Sequence, residues 1–172
     1  KIAIYKKAAE KFNSNAAQYN LAVTYIKMDE LNKAKNALES VEKDADWNNA
    51  MGVIALREDN LDEASKYFAA AGNETAKENA AVISILKGDY QAAAAALANA
   101  KGFNAALAQL LVGNNAPAAA LKCECAKTAY LRAVAAARNG DAEAVKTNLE
   151  AAKKCEKLAE RAAKDVEFAQ YR

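Results

Sequence analysis

The chain has 172 residues, 24 basic and 22 acidic side chains and a net charge of +2; 46 of its residues are alanine and only 12 are aromatic. With six glycines and one proline there are few helix breakers, which excludes a β-rich fold, a collagen-like repeat and a Pro/Gly-rich disordered chain. The absence of histidine removes Ser-His-Asp and Cys-His nucleophile chemistry and His-ligated zinc or haem, and interspersed charges without a basic stripe argue against a nucleic-acid partner.

In chain order, residues 2–12, with Tyr5 and Ala8, read as the second helix of a pair. Its first member is expected upstream of Lys1, with 1–13 expected to be a half repeat of a longer protein. A recurring unit follows. Residues 20–38, 50–68 and 79–97 align with one another, and weaker copies run over 105–121 and 131–149. Each copy reads as a helix of about three turns, a two-residue break and a second helix. The breaks Gly88-Asp89, Gly113-Asn114 and Gly140-Asp141 join a residue suited to the left-handed helix cap with one that caps the next helix. Asp29-Glu30 and Asp59-Asn60 fill the same slots, where Asp accepts the left-handed conformation at some cost.

Small residues recur where paired helices must approach: Ala22, Gly52, Ala81, Ala106 and Ala133 on the first helices, and Ala34, Ala64, Ala93, Ala118 and Val145 on the second. The pattern predicts tight antiparallel hairpins. Leu38, Phe68, Leu97 and Leu149, four residues further on, are expected to pack between hairpins; Lys122 takes that slot in the fourth copy, which marks it as degenerate or shifted. At the end, 154–172 places Leu158, Ala162, Val166 and Ala169 on one helical stripe, the pattern of a half-polar capping helix.

These residues resemble the tetratricopeptide repeat family, whose signature combines a small residue and an aromatic on the first helix, a Gly-Asp/Asn turn, and Ala, a bulky residue and Ala on the second. Leu21, Ala22, Tyr25, Leu31, Ala34 and Leu38 match it, as do Gly52, Leu61, Ala64, Phe68 and Ala71, and Ala81, Gly88, Tyr90, Ala93, Leu97 and Ala100. The small-residue slots are 30, 29, 25 and 27 residues apart, shorter than the roughly 34 of the family. The resemblance implies an all-α fold, a right-handed α-α superhelix of about five hairpins (16–152) closed by a capping helix (154–172), in one domain over 1–172. It also implies a non-catalytic scaffold that binds a peptide or partner segment in a concave groove lined by the first helices.

Projected onto this sequence, that groove has an apolar ladder of Val23, Val53, Val82, Leu107 and Val134. One turn earlier lie Tyr19, Asn49, Glu78, Phe103 and Tyr130, expected to be partly exposed on one surface, and Lys27, Arg57 and Arg138 lie at the far edge. The clamp that some family members use for a peptide carboxylate is absent, because its positions carry Tyr19, Val23, Ala50, Glu78 and Val82. The alternative is a structural or assembly domain of a larger bacterial cell-envelope protein, since the alanine-rich repeats and 165–172 resemble the tetratricopeptide tails of outer-membrane-associated proteins; that favours the periplasm over the cytoplasm. The expected partner is a protein or peptide, with no nucleic acid, no cofactor, no metal and no enzymatic activity. No run approaches 18 apolar residues, so membrane insertion is not expected. An isolated module should be monomeric and a self-filling one dimeric.

Three cysteines on a chain with a substantial core do not make a disulfide framework. On a helix, Cys123 and Cys125 would point about 200° apart, so they could not grip one metal. They and Cys155 are expected to be small buried hydrophobes, with a Cys125–Cys155 disulfide as the alternative. The acidic pairs Glu58/Asp59 and Asp62/Glu63 read as turn and capping residues rather than catalytic carboxylates.

Overall fold

The computed structural model describes residues 2–12 and 14–172, so Lys1 and Asn13, the ends of the expected half repeat, lie outside the described residues. Among the described residues the chain is all-α, without a strand. The helices are α1 (Ile2–Phe12), α2 (Asn15–Lys27), α3 (Leu31–Leu38), α4 (Ala45–Arg57), α5 (Leu61–Ala71), α6 (Glu74–Leu86), α7 (Tyr90–Ala96), α8 (Phe103–Leu111), α9 (Ala116–Ala119), α10 (Ala126–Arg138), α11 (Ala142–Ala152) and α12 (Glu156–Lys164), followed by a 3₁₀ helix over Val166–Tyr171. They form two compact units, Lys1–Ile83 and Ser84–Arg172, with the division inside α6. None of these helices is long and apolar enough to cross a membrane.

The turns follow from backbone chemistry. Asp29, Asp59, Gly88, Gly113 and Gly140 all have positive φ, between 61° and 92°. At each, the left-handed residue donates its N–H to the carbonyl three residues back, and the next residue donates to the carbonyl five back, as in Glu30 to Tyr25 (3.0 Å), Asn60 to Ala55 (2.9 Å) and Asp141 to Ala136 (3.0 Å). This double bond pattern satisfies two carbonyls that a helix end otherwise leaves bare. Asn60, Asp89 and Asp141 then accept an N–H of the following helix with their side chains, so one dipeptide ends one helix and starts the next. Glu30 makes no such side-chain bond.

All ten small-residue slots are buried. Gly52 shows why: a Cβ placed there would sit 2.5 Å from the ring of Phe68. In the first unit, α2 packs on α3 and α4 on α5. Leu21, Tyr25, Ile26, Leu38 and Ile54 form one core cluster, and Phe68, Ala71, Ala76 and Ile83 belong to a second. Trp47 joins the first cluster through its indole N–H, which donates to the Leu38 carbonyl at 3.1 Å, and meets Tyr67 edge-on at 5.8 Å. In the second unit the core surrounds α10, against which α8, α9, α11, α12 and the 3₁₀ helix all pack.

Two expectations need correction. The last element is not one continuous capping helix: Asp165 is extended (φ −72°, ψ 125°) and ends α12. Leu158 and Ala162 keep to the inward stripe, but the change of register leaves Val166 83% exposed and turns Phe168 inward, at 1% exposure. The cysteines are not buried: Cys123 and Cys125 are exposed and Cys155 is half-buried, all three free. The reason is that α9 stops at Ala119, so 121–125 is not helical and Lys122 is exposed, whereas Leu38, Phe68, Leu97 and Leu149 are buried.

Two substitutions test this packing with opposite signs. Gly52→Ala should lower stability by about 1–3 kcal/mol, because overpacking against the Phe68 ring outweighs the better helix propensity of alanine. Asp59→Gly should raise it by roughly 0.5–1 kcal/mol by relieving a left-handed backbone. Denaturant midpoints measure both.

Candidate interaction groove

In the first unit the expected groove positions are only partly available. Tyr19, Val23, Asn49, Val53 and Val82 are half-buried, and Lys27, Arg57 and Glu78 are exposed. Asn49 accepts a hydrogen bond from the Asn79 amide at 2.9 Å, and Arg57 pairs with Asp29 at 3.0 Å. Burial, and then the charges of Asp46 and Asp44, hold the Tyr19 hydroxyl above its ordinary pKa. A hollow of about 300 Å³ in this unit is lined by other residues, Trp47, Met51 and Leu38 with Lys35, Glu39 and Lys43.

The second unit gathers its positions. A groove of about 690 Å³ is lined by Phe103, Leu107, Tyr130, Val134 and Arg138, all five of the expected positions that this unit contains. Helices α8 and α10 present them, because both keep a large apolar side chain one turn before the ladder residue: Phe103 before Leu107, and Tyr130 before Val134. The other lining residues were not anticipated. Ile85, Leu86 and Tyr90 form one side, and Leu158, Arg161, Asp165, Val166 and Glu167 another. Leu86, Tyr90 and Val166 are 59%, 40% and 83% exposed. Leu86 was detectable, since it continues the Val82 stripe by four residues; the lining from 158–167 depends on the break at Asp165, which the helical periodicity hides.

Tyr130 is not the open anchor expected of it. It is 7% exposed, with its ring edge-on to Phe168 at 5.6 Å and the Arg161 guanidinium 5.5 Å from its centroid. Its hydroxyl donates to the Asp165 carboxylate. Burial, reinforced by that hydrogen bond and charge and offset by Arg161, pushes its pKa up to about 12. Nearby, Arg138 pairs with Glu167 at 2.6 Å and donates to the Leu110 carbonyl, and the Tyr171 hydroxyl donates to the Ala137 carbonyl at 3.1 Å. The physical reason for the correction is therefore the C-terminal segment, which covers Tyr130 from 35 residues away.

Phe103 is half-buried in the groove wall, while Lys127 is exposed. The groove thus offers apolar surface edged by the cations Lys127, Arg138 and Arg161 and the carboxylates Asp165 and Glu167. Among the described residues no group of three or more His, Cys, Asp or Glu side chains could hold a metal ion. The chain matches no protein-family profile and no curated protein.

Tyr130→Ala should cost about 3–5 kcal/mol of stability, as for other buried aromatic side chains, whereas Phe103→Ala should cost less. The pH dependence has a definite sign. The fold favours the neutral phenol, so the Tyr130 contribution is complete below its ordinary pKa of 10 and is lost as pH rises through about 12. An alkaline absorbance titration should show a late-ionising tyrosine that Tyr130→Phe removes.

Proposed function

We propose that this chain is a non-catalytic interaction scaffold of the tetratricopeptide type, its hairpins belonging to a right-handed α-α superhelix, and that a peptide or partner segment seats in the groove of the second unit. The observation that carries this reading is the 690 Å³ groove, which gathers Phe103, Leu107 and Val134 with the exposed Leu86, Tyr90 and Val166. Scattered surface apolar residues are ordinary, but several around one concavity mark a place where another surface is desolvated. The mechanism is shape and apolar complementarity, with Lys127 and Arg161 at the edge setting orientation.

One observation favours the structural alternative. Residues 165–171 already cover part of α10 through Phe168, Tyr171 and the Arg138–Glu167 pair, so the protein fills some of this face with its own chain. In that reading the module helps assemble a larger cell-envelope protein, and the remaining groove takes up a neighbouring part of the same molecule or a second copy.

Peptides selected on the whole chain from a displayed library test the first reading. Binding should weaken roughly thirtyfold on Tyr90→Ala, the loss expected for a hot spot of about 2 kcal/mol, with little change in thermal stability. Selected peptides that bind equally well to Tyr90→Ala and Phe103→Ala would overturn it. A dimer in solution that Tyr90→Ala dissociates would support the self-filling alternative.

A further inference from the structure

The segment between α9 and α10 carries chemistry that the groove does not use. Cys123 and Cys125 lie in the non-helical stretch 121–125, and both thiols are exposed. Two residues apart on a helix they would point in opposite directions, whereas here both line one cleft. Cys125 is the residue that starts α10, with φ −80° and ψ 151°. Its Sγ lies 3.2 Å from Thr128 Oγ1.

The stretch is held in place. Arg132, on the first turns of α10, donates to the carbonyls of Leu121 at 2.9 Å and Cys123 at 3.3 Å, and its Nε donates to Asn148 on α11. The same two cysteines line a cleft of about 790 Å³ together with Lys101, Lys122 and Lys127. Three lysines therefore share this cleft with the two thiols. The position of Cys125 at the start of a 13-residue helix, with the Thr128 hydroxyl beside its sulfur, favours a thiolate there.

We propose that Cys123 and Cys125 form a peroxide-reactive dithiol that closes to an intramolecular disulfide and is reopened by thiols. The Cys125 thiolate attacks one oxygen of hydrogen peroxide; an S–O bond forms, the O–O bond breaks, and hydroxide leaves and takes up a proton from water or buffer. The Cys123 thiol then attacks the sulfenic sulfur; the S–S bond forms, the S–O bond breaks, and the departing oxygen leaves as water with the Cys123 proton. Two sulfurs lose two electrons and one peroxide becomes two waters. Cys125 is assigned the attack because hydrogen bonds from the Thr128 hydroxyl, the Cys123 thiol and the Thr128 backbone N–H lower its pKa to about 7. Cys155, half-buried at the start of α12, stays outside the reaction. The proposal is independent of what the groove binds.

The sequence provides its own assay. Trypsin cuts after Lys122 and Lys127, which leaves both cysteines in one five-residue peptide, and cleavage after Glu124 separates them. The reduced whole chain, treated with equimolar hydrogen peroxide at neutral pH, should lose about 2 Da as two hydrogens. The tryptic peptide 123–127 should resist alkylation, its halves should stay joined after cleavage at Glu124, and Cys155 should still alkylate fully. Cys123→Ser should instead accumulate a sulfenic acid on Cys125 that dimedone captures, and Cys125→Ser should oxidise at least tenfold more slowly. A disulfide to Cys155, oxygen addition without loss of two hydrogens in the unaltered chain, or three thiols reacting at one common rate would overturn the proposal. The unaltered chain decides it even where a serine variant fails to fold.

Discussion

Two helices can lie close together only where their facing side chains are small, and this protein meets that condition in the hairpins α2–α3 and α4–α5 of the first unit and α8–α9 and α10–α11 of the second. Ala22, Ala34, Ala64, Ala93, Ala118 and Ala133 are completely excluded from solvent, and Gly52 leaves no room even for a methyl group beside Phe68. A buried alanine contributes little transfer energy, on the order of one methylene. The small slots act by letting the few large side chains, Leu38, Phe68, Leu97, Leu149 and Phe168, fill the remaining space at nearly complete burial. The two-residue turns follow from the same closeness, since a longer link would relax the approach that the alanines permit.

Much of this was legible in the sequence because it rests on local chemistry. A left-handed position needs Gly or tolerates Asp, the next position needs a capping side chain, and a close approach needs Ala or Gly; each demand is visible in the residue itself. What was not legible depends on distant partners. Tyr130 occupies a slot that looks open on α10, but Phe168 and Asp165 close over it. The helical stripe of 154–172 continues on paper through Val166, yet Asp165 leaves the helix and serves as acceptor for both Tyr130 and the Glu167 backbone N–H. The spacing of the fourth copy would continue its second helix through the cysteines, whereas Arg132 takes the carbonyls of Leu121 and Cys123 and the stretch is not helical.

Helix α10 connects these results. The two neighbouring cysteines lie just before its first residue, its middle carries Tyr130 and Val134 beneath the groove, and its last turn holds Arg138, paired to the C-terminal segment. Nine of its residues are buried, so it is both the core of the second unit and the element that positions each candidate surface. A change at either end of α10 is therefore felt by a rigid, well-packed helix rather than by a loop.

The account depends most directly on the five left-handed turns being formed and closed. Amide hydrogen exchange followed residue by residue tests this through the N–H groups of Glu30, Asn60, Asp89, Asn114 and Asp141, each of which bonds to the carbonyl five residues back. The account predicts that all five exchange slowly, with protection comparable to that of the helices they join. Exchange at these five positions as fast as in an unstructured peptide, with the helices themselves protected, would contradict it.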